Sequence, residues 1–183
     1  MYSEFSPTVT LYPKPKNVKL SATSYAYNGK VRKPTVTVKG VKGKLLKSGT
    51  DYTVSYSSGL KEVGTYKATV NLKGNYGGKI TKIFKIVPCG TTISGVTAGS
   101  KKLTVKWKKQ RTQTTGYQVQ VSTSSKFKSG NKTVTIEKNS TTSATVSKLK
   151  ANKKYYIRIR TYKTVKGVKY YSAWSKAVAK NTK

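Results

Sequence analysis

The sequence predicts an all-β chain of two tandem β-sandwiches, and three observations carry that expectation. Val, Thr, Ile, Tyr, Ser and Gly dominate, and no stretch repeats apolar residues near every 3.6 positions, so long helices are not expected. Short runs instead alternate with a period of two. The clearest is Leu149–Tyr162, where Tyr155, Ile157 and Ile159 interleave with Tyr156, Arg158 and Arg160, one set facing a core and the other water. The length, 183 residues, exceeds one small sandwich and suits two of about 90–100 residues each. Apolar residues make up only 35%, but 14 tyrosines compensate, since a tyrosine ring packs in a thin sandwich while its hydroxyl reaches the rim.

Taken in order, residues 1–16 read as a tail and connector. A strand-like run covers Thr8–Tyr12, and Pro13 and Pro15 then stop regular pairing. The opening MYSEFSPTV has no apolar signal core and is read as a cut from a longer exported protein. The first sandwich is expected over 17–87. Asn28-Gly29 is a type I′ hairpin signal, and in KPTVTVKG Val36 and Val38 share one face. In the closing run KITKIFKIV, Ile80, Ile83 or Phe84, and Ile86 are candidate anchors. Lys79, Lys82 and Lys85 fall on both faces of such a strand, which requires an edge or a bulge. Residues 88–91, Pro-Cys-Gly-Thr, form a short, partly rigid linker. Cys89 is the one cysteine, so no disulfide closes within the chain, and its thiol is either idle or pairs between chains. The second sandwich spans 92–183. Leu103, Val105 and Trp107 point inward on one strand, and Tyr117, Val119 and Val121 on the next, with Gln118 and Gln120 outside. Further strands are expected at 132–136, 144–146 and 174–179.

Two family resemblances rest on these residues. Tyr25-Ala26-Tyr27-Asn28-Gly29, Lys33-Pro34, Gly49 to Tyr56, Val63-Gly64-Thr65 and Lys73 to Gly78 make the first half similar to the immunoglobulin-like repeats of bacterial, mainly Firmicutes, surface proteins. That resemblance implies a secreted, wall-associated spacer or adhesin module of a Gram-positive bacterium without activity of its own. The second half resembles a fibronectin type III domain. Trp107 stands at the family's core tryptophan, and Leu149, six residues before Tyr155, matches the leucine–tyrosine corner leading into strand F. Ala151 replaces the family's proline there. The segment Lys163–Lys169 corresponds to the F–G loop and holds no Arg-Gly-Asp, so integrin binding by that route is not expected. Tyr171-Ser-Ala-Trp-Ser175 is similar to the Trp-Ser-x-Trp-Ser motif of cytokine-receptor domains, which implies that Trp174 stacks on Arg158 and Arg160 and braces the sheet.

Charge is the other strong signal. There are 38 basic residues against four acidic ones, a net charge of +34, and all the basic residues except Arg32, Arg111, Arg158 and Arg160 are lysine. Most lysines must therefore face solvent, where they attract polyanions. Catalysis finds little to use. Histidine is absent, and Glu4, Asp51, Glu62 and Glu137 are scattered, so neither a metal site of thiolate or imidazole type nor a glycosidase carboxylate pair is expected. An isopeptide crosslink using Asp51 or Glu62 would need a buried lysine that spacing does not identify. No apolar run approaches the length of a membrane span.

The expected function is noncatalytic, without cofactor or metal: an extracellular or cell-surface module that spaces or docks. As a monomer within a longer parent chain, it would adhere to anionic polymers such as wall teichoic acid or acidic cell-wall or host polysaccharides. Candidate contacts are Arg158, Arg160, Tyr156 and Tyr162 on one strand face, with Lys106, Lys108, Lys153, Lys154, Lys163 and Lys166 in clusters that offer weaker, more diffuse attraction. The alternative is a carbohydrate-binding accessory of a larger secreted glycan-degrading enzyme, stacking sugars on Tyr156, Tyr162, Tyr170 or Tyr171. Specific nucleic-acid recognition is not expected, because lysine gives attraction without base reading and no groove-reading helix or motif appears.

Overall fold

A computed structural model describes residues 13–183, so the strand expected at residues 8–12 lies outside the described residues. The described residues are all-β, with fourteen strands and one 3-10 turn. They fall into two compact units, one comprising residues up to 23, 33–60 and 66–84, the other 24–32, 61–65 and 85–183.

The N-terminal half contains β1 (Asn17–Leu20), β2 (Ser24–Ala26), β3 (Val36–Lys39), β4 (Tyr52–Tyr56), β5 (Gly64–Leu72) and β6 (Lys79–Val87). β1 pairs antiparallel with β3, and the others form a sheet in the order β2-β6-β5-β4. Alternation does what the sequence suggests: Val18, Leu20, Val36 and Val38 are buried, with Tyr52, Ala68, Val70 and Phe84 opposite them in kind. Each fully buried Val or Phe contributes about 1.5–3 kcal/mol. The Tyr52 hydroxyl donates to Val36 O (3.1 Å) and that of Tyr56 to Pro34 O (2.6 Å), tying β4 to the start of β3. Phe84 and Ile86 are the buried anchors of β6, while Ile83 is 56% exposed. β2 meets β6 only at Lys85–Val87, so the part holding half-buried Lys82 has no strand on that side among the described residues.

The hairpin expected at Asn28-Gly29 does not form. A turn is present, with Asn28 Oδ1 accepting from Lys30 N (3.1 Å) and Gly29 at φ +75°. But the strand before it, β2, pairs in parallel with β6, and the strand after it, β3, pairs with β1. Local turn chemistry was satisfied while partners distant in sequence claimed both strands.

The C-terminal half contains β7 (Ile93–Gly99), β8 (Lys102–Trp107), β9 (Gly116–Ser122), β10 (Lys132–Ile136), β11 (Ser143–Val146), β12 (Lys154–Val165), β13 (Val168–Tyr171) and β14 (Val178–Asn181). One sheet has the order β11-β8-β7; the other runs β10-β9-β12-β13, with β14 also on β12. Their inner faces meet in a core of Leu103, Val105, Trp107, Tyr117, Val119, Val121, Val146, Ile157 and Ile159. Trp107 packs on Tyr117 with ring centroids 5.3 Å apart. Its Nε1 finds no acceptor among the described residues, a cost of about 1–3 kcal/mol that burial of the indole must offset. The linker lies along this half: the Thr161 hydroxyl donates to Cys89 O (2.7 Å) and Gln110 Nε2 to Gly90 O (2.8 Å), with Cys89 itself exposed.

Two expectations at the C-terminal end are corrected. The strand expected over 174–179 begins only at Val178, as β14; Trp174 lies in the irregular run between β13 and β14. The expected F–G loop is mostly strand: Lys163 pairs with Tyr170 and Thr164 with Lys169. A two-residue turn at Lys166 (φ +47°) and Gly167 (φ +79°) closes the hairpin, the left-handed pair that matches sheet twist.

The leucine–tyrosine corner is present. Leu149 and Tyr155 are buried, and the Tyr155 hydroxyl accepts from Lys150 N (3.0 Å). A second clamp has no sequence signature: buried Thr182 donates its hydroxyl to Lys150 O (2.6 Å) and accepts from Lys153 N (3.1 Å). Replacing Tyr155 by Phe keeps the ring and strands the Lys150 amide. The expected loss is about 1–3 kcal/mol. Both tryptophans lie in this half, so urea unfolding of the full chain followed by tryptophan fluorescence measures it selectively.

Candidate functional site

β12 is the central strand of the larger sheet, and its alternation turns Tyr156, Arg158 and Arg160 outward while Tyr155, Ile157 and Ile159 enter the core. Register then decides what the arginines meet. Arg158 lies opposite Gln120, which lies opposite Thr133; Arg160 lies opposite Gln118, which lies opposite Thr135. Two hydrogen-bonded rows result. Arg158 Nε and Nη2 both donate to Gln120 Oε1 (2.9 and 2.6 Å), and Gln120 Nε2 donates to Thr133 Oγ1 (3.0 Å). Arg160 repeats this on Gln118 Oε1 (2.9 and 2.7 Å), with Gln118 Nε2 donating to Thr135 Oγ1 (3.1 Å).

Aromatic rings fill the spaces between the rows. Trp174 lies between the two guanidinium groups, at 4.5 Å from Arg158 and 4.3 Å from Arg160, as the resemblance to the tryptophan–serine motif implies. Phe127 covers the far side of Arg158 (4.0 Å) and Tyr171 that of Arg160 (3.9 Å). The stack therefore reads Phe127, Arg158, Trp174, Arg160, Tyr171. Burial pulls both guanidinium groups below their ordinary pKa; at Arg160 the Tyr171 phenol opposes that and Arg158 adds to it. Both remain cationic, since an arginine does not titrate in a folded protein. Phe127 was not a sequence candidate. It reaches the stack from a loop, at φ +54°, where no periodicity could reveal it.

Tyr162 shares the parity of Arg158 and Arg160 but is not available to a ligand, being 1% exposed. Its cross-strand partner is Gly116, where a Cβ would stand 2.0 Å from Ile136 O and 3.0 Å from the Tyr162 ring. Only glycine leaves room for the ring to lie there, and Tyr171 then packs against Tyr162 (5.9 Å). Tyr156 is half-buried, with the Lys154 ammonium over its ring at 5.6 Å.

The lysine candidates do not gather around this face. Lys153 and Lys154 sit at the beginning of β12 and Lys163 and Lys166 at its other end, roughly 30 Å away at strand rise. Lys106 and Lys108 lie on and just after β8, in the other sheet. All but half-buried Lys163 are exposed. Among the described residues, no three of His, Cys, Asp and Glu come together as a metal ligand set. Asp51 Oδ2 accepts from Lys47 N (2.7 Å), a turn-forming bond. No helix of the described residues is long and apolar enough to cross a membrane.

Tyr162 carries a pH signature. Burial first, then Glu137 and Tyr171, raise its pKa above the ordinary 10.0. A raised folded-state pKa means that the neutral phenol is favoured by folding. Its share of stability is complete below pH 10 and is lost as pH climbs through the higher folded value. Tyr162→Phe should remove that share of the alkaline loss, measured as the difference between urea midpoints at neutral pH and at a pH above 10 for the two proteins.

Residues 88–178 match the fibronectin type III domain family. No curated protein matches the chain. Among solved structures, the fold is similar to an fn3 domain of human contactin 1, at 17% identity over 61% of this chain and 92% of that one, TM-score 0.47. It is similar also to the FN1–FN3 domains of chicken CNTN1, at 16% identity over 93% and 68% respectively, TM-score 0.46. A beta-1,2-glucanase from Parabacteroides distasonis is similar at 15% identity over 64% of this chain and 17% of the enzyme, TM-score 0.41. By sequence family and by its sheets, corner and core tryptophan, the C-terminal half of this chain, residues 88–178, is a fibronectin type III domain.

Proposed function

We propose that the chain is a noncatalytic extracellular or cell-surface module, part of an exported Gram-positive protein, that docks to anionic polymers such as wall teichoic acid or acidic glycans. Fibronectin type III domains are commonly noncatalytic extracellular modules, which supports the first part. The observation that carries the second is +34 of charge held mostly as lysines at separated, solvent-facing positions on both sheets. Such an arrangement attracts a flexible polyanion over a wide area and fixes no register. Arg158 and Arg160 have a different task. Each gives its Nε and Nη2 donors to one glutamine oxygen and sets a guanidinium plane against Trp174, so they support the sheet that displays the lysines.

Retention on teichoic-acid-bearing walls should fall steeply as NaCl rises from about 0.05 to about 1 M, because the screening length shrinks from over 10 Å to roughly 3 Å. Three charge reversals, Lys106→Glu with Lys108→Glu, Lys153→Glu with Lys154→Glu, and Lys163→Glu with Lys166→Glu, should each weaken retention partly and to a similar degree. Arg160→Lys keeps the charge and loses the fork and the stack. It should lower the urea midpoint and leave retention within about twofold. Salt-independent retention, or abolition by one lysine pair alone, overturns the reading.

A further inference from the structure

The lysine surface leaves one concave feature of the first unit unused. A groove of about 370 Å³ is lined by Val41, Lys44, Leu46, Asp51, Asn75 and Tyr76, together with Pro13. This volume is within the range of small-molecule sites. The segments that supplied the immunoglobulin-like resemblance, Gly49–Tyr56 and Lys73–Gly78, furnish three of its polar groups.

Hydrogen bonds set the walls in place. Asp51 Oδ2 accepts from Lys47 N (2.7 Å), and Asp51 O accepts from Lys73 N (2.8 Å), which hangs the 73–78 loop from the 47–51 turn. The Tyr76 hydroxyl accepts from Val41 N (3.2 Å) and fastens the same loop to the 3-10 turn Val41–Gly43. Gly40 makes that approach possible, since a Cβ there would stand 2.1 Å from the Tyr76 hydroxyl oxygen. Among the described residues, Asp51 Oδ1, the Asn75 amide and the Lys44 ammonium make no hydrogen bond. A preformed groove thus presents an anionic acceptor, a group that both donates and accepts, and a cationic donor beside the apolar Val41 and Leu46.

We propose that this groove binds a neutral sugar ring. Vicinal hydroxyls donate to the Asp51 carboxylate, ring substituents exchange hydrogen bonds with Asn75, Lys44 donates to a further oxygen, and the C–H face of the ring rests on Leu46 and Val41. A polyanion would bring like charge onto the Asp51 carboxylate inside the groove, whereas neutral hydroxyls can donate to its free oxygen. Selectivity here is opposite to that of the lysine surface. The groove therefore stands independently of the electrostatic docking reading.

The test is an amide chemical-shift titration of the full chain with cellotetraose and, separately, chitotetraose in about 1 M NaCl, where lysine-driven association is screened. Expected shifts fall on residues 40–51 and 73–78, for at least one probe, with saturation in the millimolar range. Asn75→Ala should weaken binding about 5–10-fold, and Gly40→Ala, by displacing Tyr76, should remove it. Folding of both variants is checked by their unchanged shifts elsewhere. Absence of shifts with either probe at about 10 mM overturns the proposal. So do shifts confined to residues 92–183, or binding that is unchanged by both substitutions. None of these outcomes bears on wall retention at low salt, which tests the other reading.

Discussion

With 38 basic side chains and four acidic ones, this chain cannot hold its cations by ion pairing, and the way it holds them otherwise shapes both halves. Neutral partners take the place of carboxylates. Arg32 lies over the Tyr25 ring, Lys33 over Tyr56, Lys154 over Tyr156 and Lys169 over Tyr162. Lysine ammonium groups also find backbone carbonyls, Lys132 on Ser147 O (2.6 Å) and Lys73 on Gly49 O (3.4 Å). Tyrosine serves such a chain well. Its ring packs in the sandwich, its face accepts a cation, and its hydroxyl closes backbone bonds at Val36, Pro34 and Lys150.

Arginine and lysine consequently divide the work. Arg158 and Arg160 stand two residues apart on one strand, where two like charges ought to repel. The indole of Trp174 separates them, each glutamine oxygen accepts two N–H groups from one guanidinium, and Phe127 and Tyr171 close the ends. A planar, forked, weakly hydrated cation suits this setting, and a lysine could fill neither the fork nor the stack. The ammonium group, compact and strongly hydrated, remains in water along the strand ends and on the opposite sheet. The forked, stacked bracing of the larger sheet is thus carried by arginine, whereas most of the exposed charge is carried by lysine.

The sheets were legible wherever alternation was regular and turns short: β8, β9, β10 and the corner at Leu149 and Tyr155 fall where period two and spacing put them. Failures have a common physical source, which is that a strand's partner is not written in the strand. Asn28-Gly29 favours a local hairpin, yet parallel pairing of β2 with β6, some sixty residues on, takes precedence. Parity told which face Tyr162 occupies but not that the β12–β13 hairpin would cover it with Tyr171. The turn of that hairpin carries a lysine at positive φ where asparagine would have announced it. The arginine face was readable because Arg158, Arg160, Gln118 and Gln120 are period-two neighbours, whereas Phe127 and Thr182 reach their partners from segments without any period.

Salt acts on this molecule in two opposing ways. Lysines kept apart at strand ends and on separate sheets still repel one another through solvent, so the compact state carries a self-repulsion that neutral bracing must outweigh. Added salt screens that repulsion and stabilises the fold. The same screening weakens attraction to a polyanion, because both depend on the same exposed ammonium groups. Stability and polyanion affinity therefore move in opposite directions along a salt series. Under the proposed docking, release from an anionic surface at high salt is the loss of attraction by a protein that stays folded. The arginine–tryptophan stack stays outside this exchange, since its contacts are short, partly buried and made to neutral groups that salt does not screen.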